Sequence, residues 1–219
     1  MNKVSNWKEF HSKLSVAEPH KKVCAFAKDY LKADMRILDL GCGKGRHSLY
    51  CAGKVAEVYS VDLENSALDT LQDDIKKSGI CNISATQSNI KKLPYENSFF
   101  DAIISVNVLN HGYYNDIKDF FKEIDRVLKP GGFLFAICLP KTFLKDLRTK
   151  ETRELEKDTF VGLGTPDGDI PHHMFSRPEM DDFLPEYKFI KYDEFSEYSQ
   201  WLKKDATHLE ILAKKPDNK

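Results

Sequence analysis

Several features typical of membrane, secreted or nucleic-acid-binding proteins are missing from this 219-residue sequence. It has no apolar run long enough to cross a bilayer, and its first residues lack the pattern of a secretory signal peptide. Lysine and arginine number 33 and acidic residues 34, so no excess of basic charge favours binding to DNA. There is no internal repeat and no low-complexity tract. We therefore expect a soluble globular protein of the cytoplasm, with neither DNA nor a membrane as its partner.

Cysteine is scarce, and its pattern is typical of neither a disulfide framework nor a zinc site. Five cysteines stand at positions 24, 42, 51, 81 and 138, an odd number without a C-x-x-C pair. Several lie in apolar stretches, which predicts reduced and partly buried thiols, as in a reducing compartment.

Apolar segments of β-type composition alternate with segments of helical periodicity, which predicts an α/β protein with a doubly wound, mostly parallel sheet. An apolar stripe at three-to-four spacing, from Ile117 to Leu128, predicts the buried face of one helix. The predicted strands are 36–40, 57–62, 82–87, 100–106, 132–138, 187–195 and 207–213, and the predicted helices are 65–78 and 116–128.

Two segments fall outside this alternation. Residues 140–175 are charged and then rich in glycine and proline, too polar for another core unit, and predict a lid-like insertion over about 140–185. Ser176 and Glu179 form a capping-box pattern that predicts a short helix ending near Leu184.

At the other end, the spacing of Trp7, Phe10, His11 and Leu14 predicts an amphipathic helix. We expect a helical cap over about 5–30, either covering a ligand site or packing on the sheet edge. The whole chain, 1–219, is then expected to be a single domain with these two additions.

The most informative segment is 37–46, where an apolar run containing an acid leads into a loop with glycine at 41, 43 and 45. A strand, a glycine loop and a helix bring a nucleotide-like ligand against the backbone, because glycine has no Cβ. The dinucleotide pattern G-x-G-x-x-G would need a third glycine where this chain has Arg46. Asp39, two residues before the first glycine, would repel a pyrophosphate but suits a ligand that carries an ammonium group.

The D-x-G-x-G-x-G pattern from Asp39 to Gly45 resembles motif I of the class I S-adenosyl-L-methionine (SAM) methyltransferases. Asp62 at a strand end, the segment 87–95 with its Leu-Pro pair, and the turn 129–132 resemble further parts of that family, in the same order. The run after Leu40 is similar to small single-domain members near the tellurite-resistance type. The resemblance implies a Rossmann-like sheet of seven strands with an antiparallel last strand, and SAM as the cofactor.

The resemblance also implies which residues bind SAM. Asp62 is expected to accept hydrogen bonds from both ribose hydroxyls, unless it is only the N-cap of the next helix. Asn89 stands where the family usually has aspartate; its amide oxygen can accept from the adenine amino group, or it is a plain turn residue. The expected cofactor-binding residues are Asp39, Gly41, Cys42, Gly43, Gly45, Arg46, Asp62, Leu63, Asn89, Ile90 and Val106.

Residues after the fourth strand are candidates for the acceptor pocket, because ligands bind beyond the carboxyl ends of strands where the strand order reverses. His111 is the best-placed candidate for a catalytic base, with shaping of the pocket as its alternative role. No metal site is expected, since adjacent histidines in an extended segment point in opposite directions. The expected acceptor pocket comprises Asn107, His111, Tyr113, Tyr114, His172 and His173.

The sequence thus predicts methyl transfer from SAM to a small molecule. A tRNA wobble-uridine methyltransferase is a first alternative, because those enzymes share a similar core and a histidine-containing lid. A non-catalytic SAM-binding partner or sensor protein is a second. The acceptor atom and the oligomeric state do not follow from the sequence.

Overall fold

The computed structural model describes residues 18–165, 167, 169–199 and 202–217. The helix predicted around Trp7 to Leu14 lies outside these residues. The elements are α1 (Lys21–Tyr30), β1 (Arg36–Leu40), α2 (Arg46–Ala52), β2 (Glu57–Asp62), α3 (Asn65–Ser78), β3 (Ile83–Gln87), β4 (Phe100–Val106), α4 (Tyr114–Val127), β5 (Leu128–Cys138), α5 (Leu144–Leu147), β6 (Arg153–Glu156), β7 (Thr159–Val161), β8 (His172–His173), α6 (Arg177–Phe183), β9 (Lys188–Ser199) and β10 (Lys204–Lys214).

Seven strands form the main sheet, in the order β3-β2-β1-β4-β5-β10-β9. Strands β1 to β5 pair in parallel, whereas β10 runs antiparallel to both β5 and β9. The predicted seven-stranded, mostly parallel fold is therefore confirmed. The fifth strand begins at Leu128, four residues earlier than predicted, because Leu128 already pairs with Phe100 of β4; the Pro-Gly-Gly residues then form an irregularity before pairing resumes at Phe133.

Both faces of the sheet are covered by helices, as parallel sheets require. Successive residues of β1 pack on opposite faces of the sheet. Leu38 belongs to the apolar cluster that contains Phe121 of α4. Ile37 belongs to the cluster that contains Phe26 of α1, and Phe26 stacks on Phe135 of β5 at 5.0 Å between ring centroids. The described part of the expected N-terminal cap therefore packs on a sheet face.

The strand order reverses between β1 and β4, which lie side by side with Leu38 opposite Ile103. The carboxyl ends of β1 to β5 share one edge of the sheet because these strands are parallel. The loops after β1, β2, β3 and β4 consequently converge on that edge, where such folds bind ligands.

The segment after β5 is more structured than the sequence predicts. β6, β7 and β8 form a separate three-stranded antiparallel sheet. This sheet has its own apolar cluster, so the expectation that 140–175 is too polar for a core is wrong. Strands of two to four residues are too short to show alternation in a sequence. The cluster contains Leu139, Phe143, Leu147, Phe160, Leu163, Met174 and Ala206.

The capping box predicted at Ser176 does not form, although α6 follows it as expected. The Ser176 side chain makes no capping hydrogen bond. The Glu179 carboxylate instead lies 2.9 Å from the Nε2 atom of His173, which draws it away from the helix end.

None of the helices in the described part of the chain has the length and apolar character needed to span a bilayer. All five cysteines are free thiols, as predicted, and three of them are buried.

Candidate functional site

The glycine loop after β1 has a backbone that other residues would strain. Gly41, Gly43 and Gly45 have φ angles of 72°, 53° and 81°, in the left-handed region that favours glycine. A Cβ atom on Gly41 would lie 2.4 Å from a methyl group of Val108, and one on Gly45 would lie 2.3 Å from Leu71. The loop after β4 therefore packs directly against the glycine loop.

Asp62 at the end of β2 faces this loop. Its Oδ2 atom accepts a hydrogen bond from the Gly43 N–H at 2.7 Å, and its Oδ1 atom accepts one from the Glu64 N–H at 2.9 Å. The N-cap of α3 is Glu64, whose side chain accepts from Ser66, so the reading of Asp62 as that N-cap is wrong. A carboxylate has further lone pairs for the hydroxyls of a ligand.

Asp39 lies beneath the glycine loop, with only 2% of its surface exposed. Its Oδ2 atom accepts a hydrogen bond from Ser48 at 2.6 Å, and Ser60 donates in turn to Ser48 at 2.8 Å. Burial raises the pKa of Asp39 to about 6, although Ser48 and the positive charge of Arg46 act in the other direction. The buried carboxylate ties α2 to β1, and a nearby cation would favour its ionised form.

The residues expected around an adenine ring lie on the neighbouring loops. Leu63 is 42% exposed, and Ile90 is half-buried. Asn89 is exposed, and its Oδ1 atom accepts a hydrogen bond from the Lys91 N–H at 2.9 Å. This amide thus makes a turn, while its oxygen retains a second lone pair for a ligand.

Three further expected cofactor residues differ in burial. Cys42 is buried, and its thiol contacts the carbonyl oxygen of Gly43. Arg46 and Val106 are half-buried at the start of α2 and the end of β4.

The loop after β4 begins with Asn107, whose φ of 57° turns the chain sharply. Its N–H donates to the Ile137 carbonyl at 2.8 Å, which holds the turn against β5. Tyr113 and Tyr114 at the far end of this loop are 46% and 36% exposed.

The small sheet is tied to this loop by backbone contacts. The Gly112 N–H donates to the Pro171 carbonyl at 2.9 Å, and the His173 N–H donates to the Asn110 carbonyl at 2.7 Å. An isolated antiparallel bridge also pairs His111 with His172. These contacts bring together two candidate histidines that are distant in the sequence.

Asp167 joins these histidines, although the sequence analysis did not identify it. Its Oδ2 atom lies 3.1 Å from Nε2 of His111 and 3.5 Å from Nε2 of His172. Burial opposes ionisation of Asp167, but its contacts with the two histidine side chains outweigh burial and hold its pKa well below the usual range. Burial lowers the pKa of His111. The signal available in the sequence was an acid within a glycine-rich loop, five residues before His172.

His173 points elsewhere, as expected for adjacent residues of an extended segment. Its Nδ1 atom lies 2.8 Å from the Thr159 hydroxyl and its Nε2 atom 2.9 Å from Glu179, and it is 1% exposed. His173 thus connects β7 to α6, whereas His172 faces His111.

Comparison with known proteins agrees with this geometry. Residues 38–136 match a family model described as a methyltransferase domain. Over this segment the chain is similar to methyltransferase domains. The matched segment begins in β1 and ends in β5, so it includes the glycine loop, Asp62 and the loop after β4. The family resemblance inferred from the sequence is confirmed.

Two curated relatives match parts of the chain. An uncharacterized methyltransferase of Bacillus subtilis, YodH, is 31% identical over 139 residues, which is 61% of this chain and 58% of that protein. The ubiquinone/menaquinone biosynthesis C-methyltransferase UbiE of Pectobacterium carotovorum is 33% identical over 124 residues, which is 54% of this chain and 48% of that protein. The chain thus spans about half the length of these relatives.

Solved structures share the fold. A SAM-dependent methyltransferase of Methanosarcina mazei superposes with a TM-score of 0.72 at 20% identity, covering 92% of this chain and all of the other. TehB of Haemophilus influenzae has a TM-score of 0.68 at 20% identity, covering 90% of this chain and 62% of its own, which fits the expected likeness to the tellurite-resistance type.

Proposed function

We propose that this protein transfers the methyl group of SAM to a small-molecule acceptor. The observation that carries the proposal is the contact between Asp62 and the glycine loop at the point where the strand order reverses. This contact supports the proposal, because the Asp62 carboxylate lies beside bare backbone that a ligand can approach closely. The methyltransferase family model and the curated relatives support the same chemistry.

The sulfonium of SAM makes its methyl group electrophilic, and transfer is an in-line displacement. The protein contributes orientation and the exclusion of water. Asp62 accepts from the ribose hydroxyls, Leu63 and Ile90 hold the adenine, and Asp39 favours the cationic amino-acid end. Asn89 adds one hydrogen bond to the adenine amino group.

A small acceptor suits the surroundings of the loop that follows β4, because the candidate side chains there are largely covered by protein. The His111 side chain is only 10% exposed and that of Asp167 only 12%. UbiE, whose name describes C-methylation in ubiquinone/menaquinone biosynthesis, supports a small acceptor by analogy. A tRNA acceptor would need a basic surface for its phosphates, and the net charge of −1 does not favour one.

Calorimetry with SAM and with its demethylated product, S-adenosylhomocysteine, tests cofactor binding. We expect one site per chain with a Kd in the micromolar range, about −8 kcal/mol. Absence of heat and of a thermal shift with both compounds at millimolar concentration would contradict the proposal.

The acceptor class is tested by incubating the chain with methyl-labelled SAM and cell extract separated into metabolite and RNA fractions. We expect label to enter the metabolite fraction. Label confined to RNA would favour the tRNA alternative, and binding without any transfer would favour a SAM-binding sensor.

A further inference from the structure

The His172 ring is oriented by a hydrogen bond at one of its nitrogens. Its Nδ1 atom lies 2.7 Å from the carbonyl oxygen of Ile170, which can only accept, so Nδ1 carries the hydrogen. In a neutral imidazole the other nitrogen, Nε2, then bears a lone pair. That atom faces Oδ2 of Asp167 at 3.5 Å. Two lone pairs confront each other here unless a positive centre lies between them.

The same carboxylate oxygen faces a second ring nitrogen, Nε2 of His111, at 3.1 Å. The rings of His111 and His172 lie side by side, with 4.7 Å between their centroids. Two ring nitrogens thus converge on one carboxylate oxygen, an arrangement in which all three atoms can bind a single metal ion through their lone pairs.

The spacing of the three atoms suits one metal ion. Ligand atoms about 2.0–2.2 Å from a tetrahedral zinc ion lie roughly 3.3 Å from one another. The two nitrogen-to-oxygen distances are 3.1 and 3.5 Å, and all three ligand atoms lie within 4.8 Å of one another. The Ile170 carbonyl orients His172 in the way that a second-shell acceptor orients a metal-binding histidine.

We propose that His111, Asp167 and His172 bind a divalent transition-metal ion of the Zn²⁺ class. Two imidazoles and one carboxylate suit Zn²⁺ and the neighbouring first-row ions. The sequence analysis expected no metal because it considered only the adjacent pair of histidines. His173 indeed turns away, and the ligands come instead from the loop after β4 and from the segment 167–172.

Three protein ligands leave a coordination position for water or for an oxygen atom of another molecule. The site lies on the loop that contacts Gly41 through Val108, close to the proposed SAM site. An acceptor that coordinates through a hydroxyl or enol oxygen would therefore be held and acidified beside the methyl group. This consequence rests on the proposed methyl transfer, whereas metal binding itself does not.

Titration of the chelator-treated full chain with Co²⁺ and Zn²⁺ tests the site without SAM or an acceptor. We expect one ion per chain, and visible Co²⁺ absorption without the near-ultraviolet band of a cysteine thiolate ligand. The Asp167→Asn and His172→Ala variants should each lose about 100-fold or more in affinity. Asp169→Asn, an exposed acid in the same loop, is the matched control and should stay within about threefold.

Binding of S-adenosylhomocysteine to every variant reports whether it has folded. If a variant with a substituted metal ligand fails to fold, a second experiment on the wild-type chain replaces it. In that experiment, Zn²⁺ should protect the histidines from modification by diethylpyrocarbonate. No uptake of Co²⁺ at millimolar concentration, a thiolate band, unchanged uptake by Asp167→Asn, or unprotected histidines would each overturn the proposal. Failure of the wild-type chain to bind S-adenosylhomocysteine would contradict the proposed function but not the proposed metal site.

Discussion

The Oδ2 atom of Asp62 accepts a hydrogen bond from the N–H of Gly43 at 2.7 Å, so the end of β2 is tied to the loop after β1. The two features that resemble the methyltransferase family most closely are thus in direct contact. One carboxylate can hold the loop in shape and present further lone pairs to a ribose.

Replacing Asp62 with alanine should weaken SAM binding by about 2–4 kcal/mol, since charge-assisted hydrogen bonds to two hydroxyls and the support of Gly43 are lost. Asn89→Ala should cost less because it removes one neutral hydrogen bond. Calorimetry on both variants measures the difference. A larger loss in Asn89→Ala would show that the two roles are assigned wrongly.

Replacing Gly41 with alanine should destabilise the protein by about 2–4 kcal/mol, because a strained φ and a clash with Val108 add together. Gly79 is a matched control: its φ is 66°, yet a Cβ there meets nothing within 4 Å. Gly79→Ala should therefore cost only the strain, about 1–2 kcal/mol. Urea unfolding compares the two, and equal losses would argue against the close packing of the loop on Val108.

Asp39→Asn should stabilise the ligand-free protein at pH 7 but not at pH 3. The pKa of Asp39 is raised from 3.8 to about 6 in the fold. The protonated carboxyl group is therefore the form that the fold favours: its contribution to the free energy of unfolding is fully present below about pH 4 and is lost as the pH rises through about 6. About 3 kcal/mol is lost across this range, and the asparagine variant does not lose it. Urea unfolding at several pH values measures the free energy of unfolding of both proteins. A difference between them that does not change with pH would contradict the prediction.

The same carboxyl group predicts a pH dependence of SAM binding. A cationic ligand favours ionised Asp39, so binding below about pH 6 must first remove its proton. Affinity should fall as pH drops from 7 to 5, with proton release visible as a buffer-dependent heat. The Asp39→Asn variant should bind SAM more weakly at pH 7, and its affinity should depend less on pH. If the pH dependence of its SAM affinity equals that of the wild type, the ammonium group of SAM does not lie near Asp39.

His111→Ala and His172→Ala should lower methyl transfer while leaving SAM affinity within about threefold, under about 1 kcal/mol. His173→Ala should also lower transfer, but through stability, since it leaves the Glu179 carboxylate without its buried partner. Thermal unfolding separates the two cases. If the His173→Ala variant is as stable as the wild type but transfers methyl groups more slowly, His173 lines the acceptor pocket after all.

The sequence by itself predicted the main sheet and SAM as the cofactor. Strands of five or more residues that contain many apolar side chains, and the stripe of α4, have patterns that can be counted along the chain. Glycines with positive φ leave a local signature, because few other residues tolerate that backbone.

Only the tertiary structure decided what surrounds the acceptor side. His111 comes from the loop after β4, whereas Asp167 and His172 come from the segment 167–172, and backbone bridges between β8 and the loop after β4 bring them together. Strands of two to four residues show no periodicity. The contact of His173 with Glu179 takes the place of the capping box and joins β8 to α6. Such side-chain meetings depend on packing between elements, which no spacing along the chain encodes.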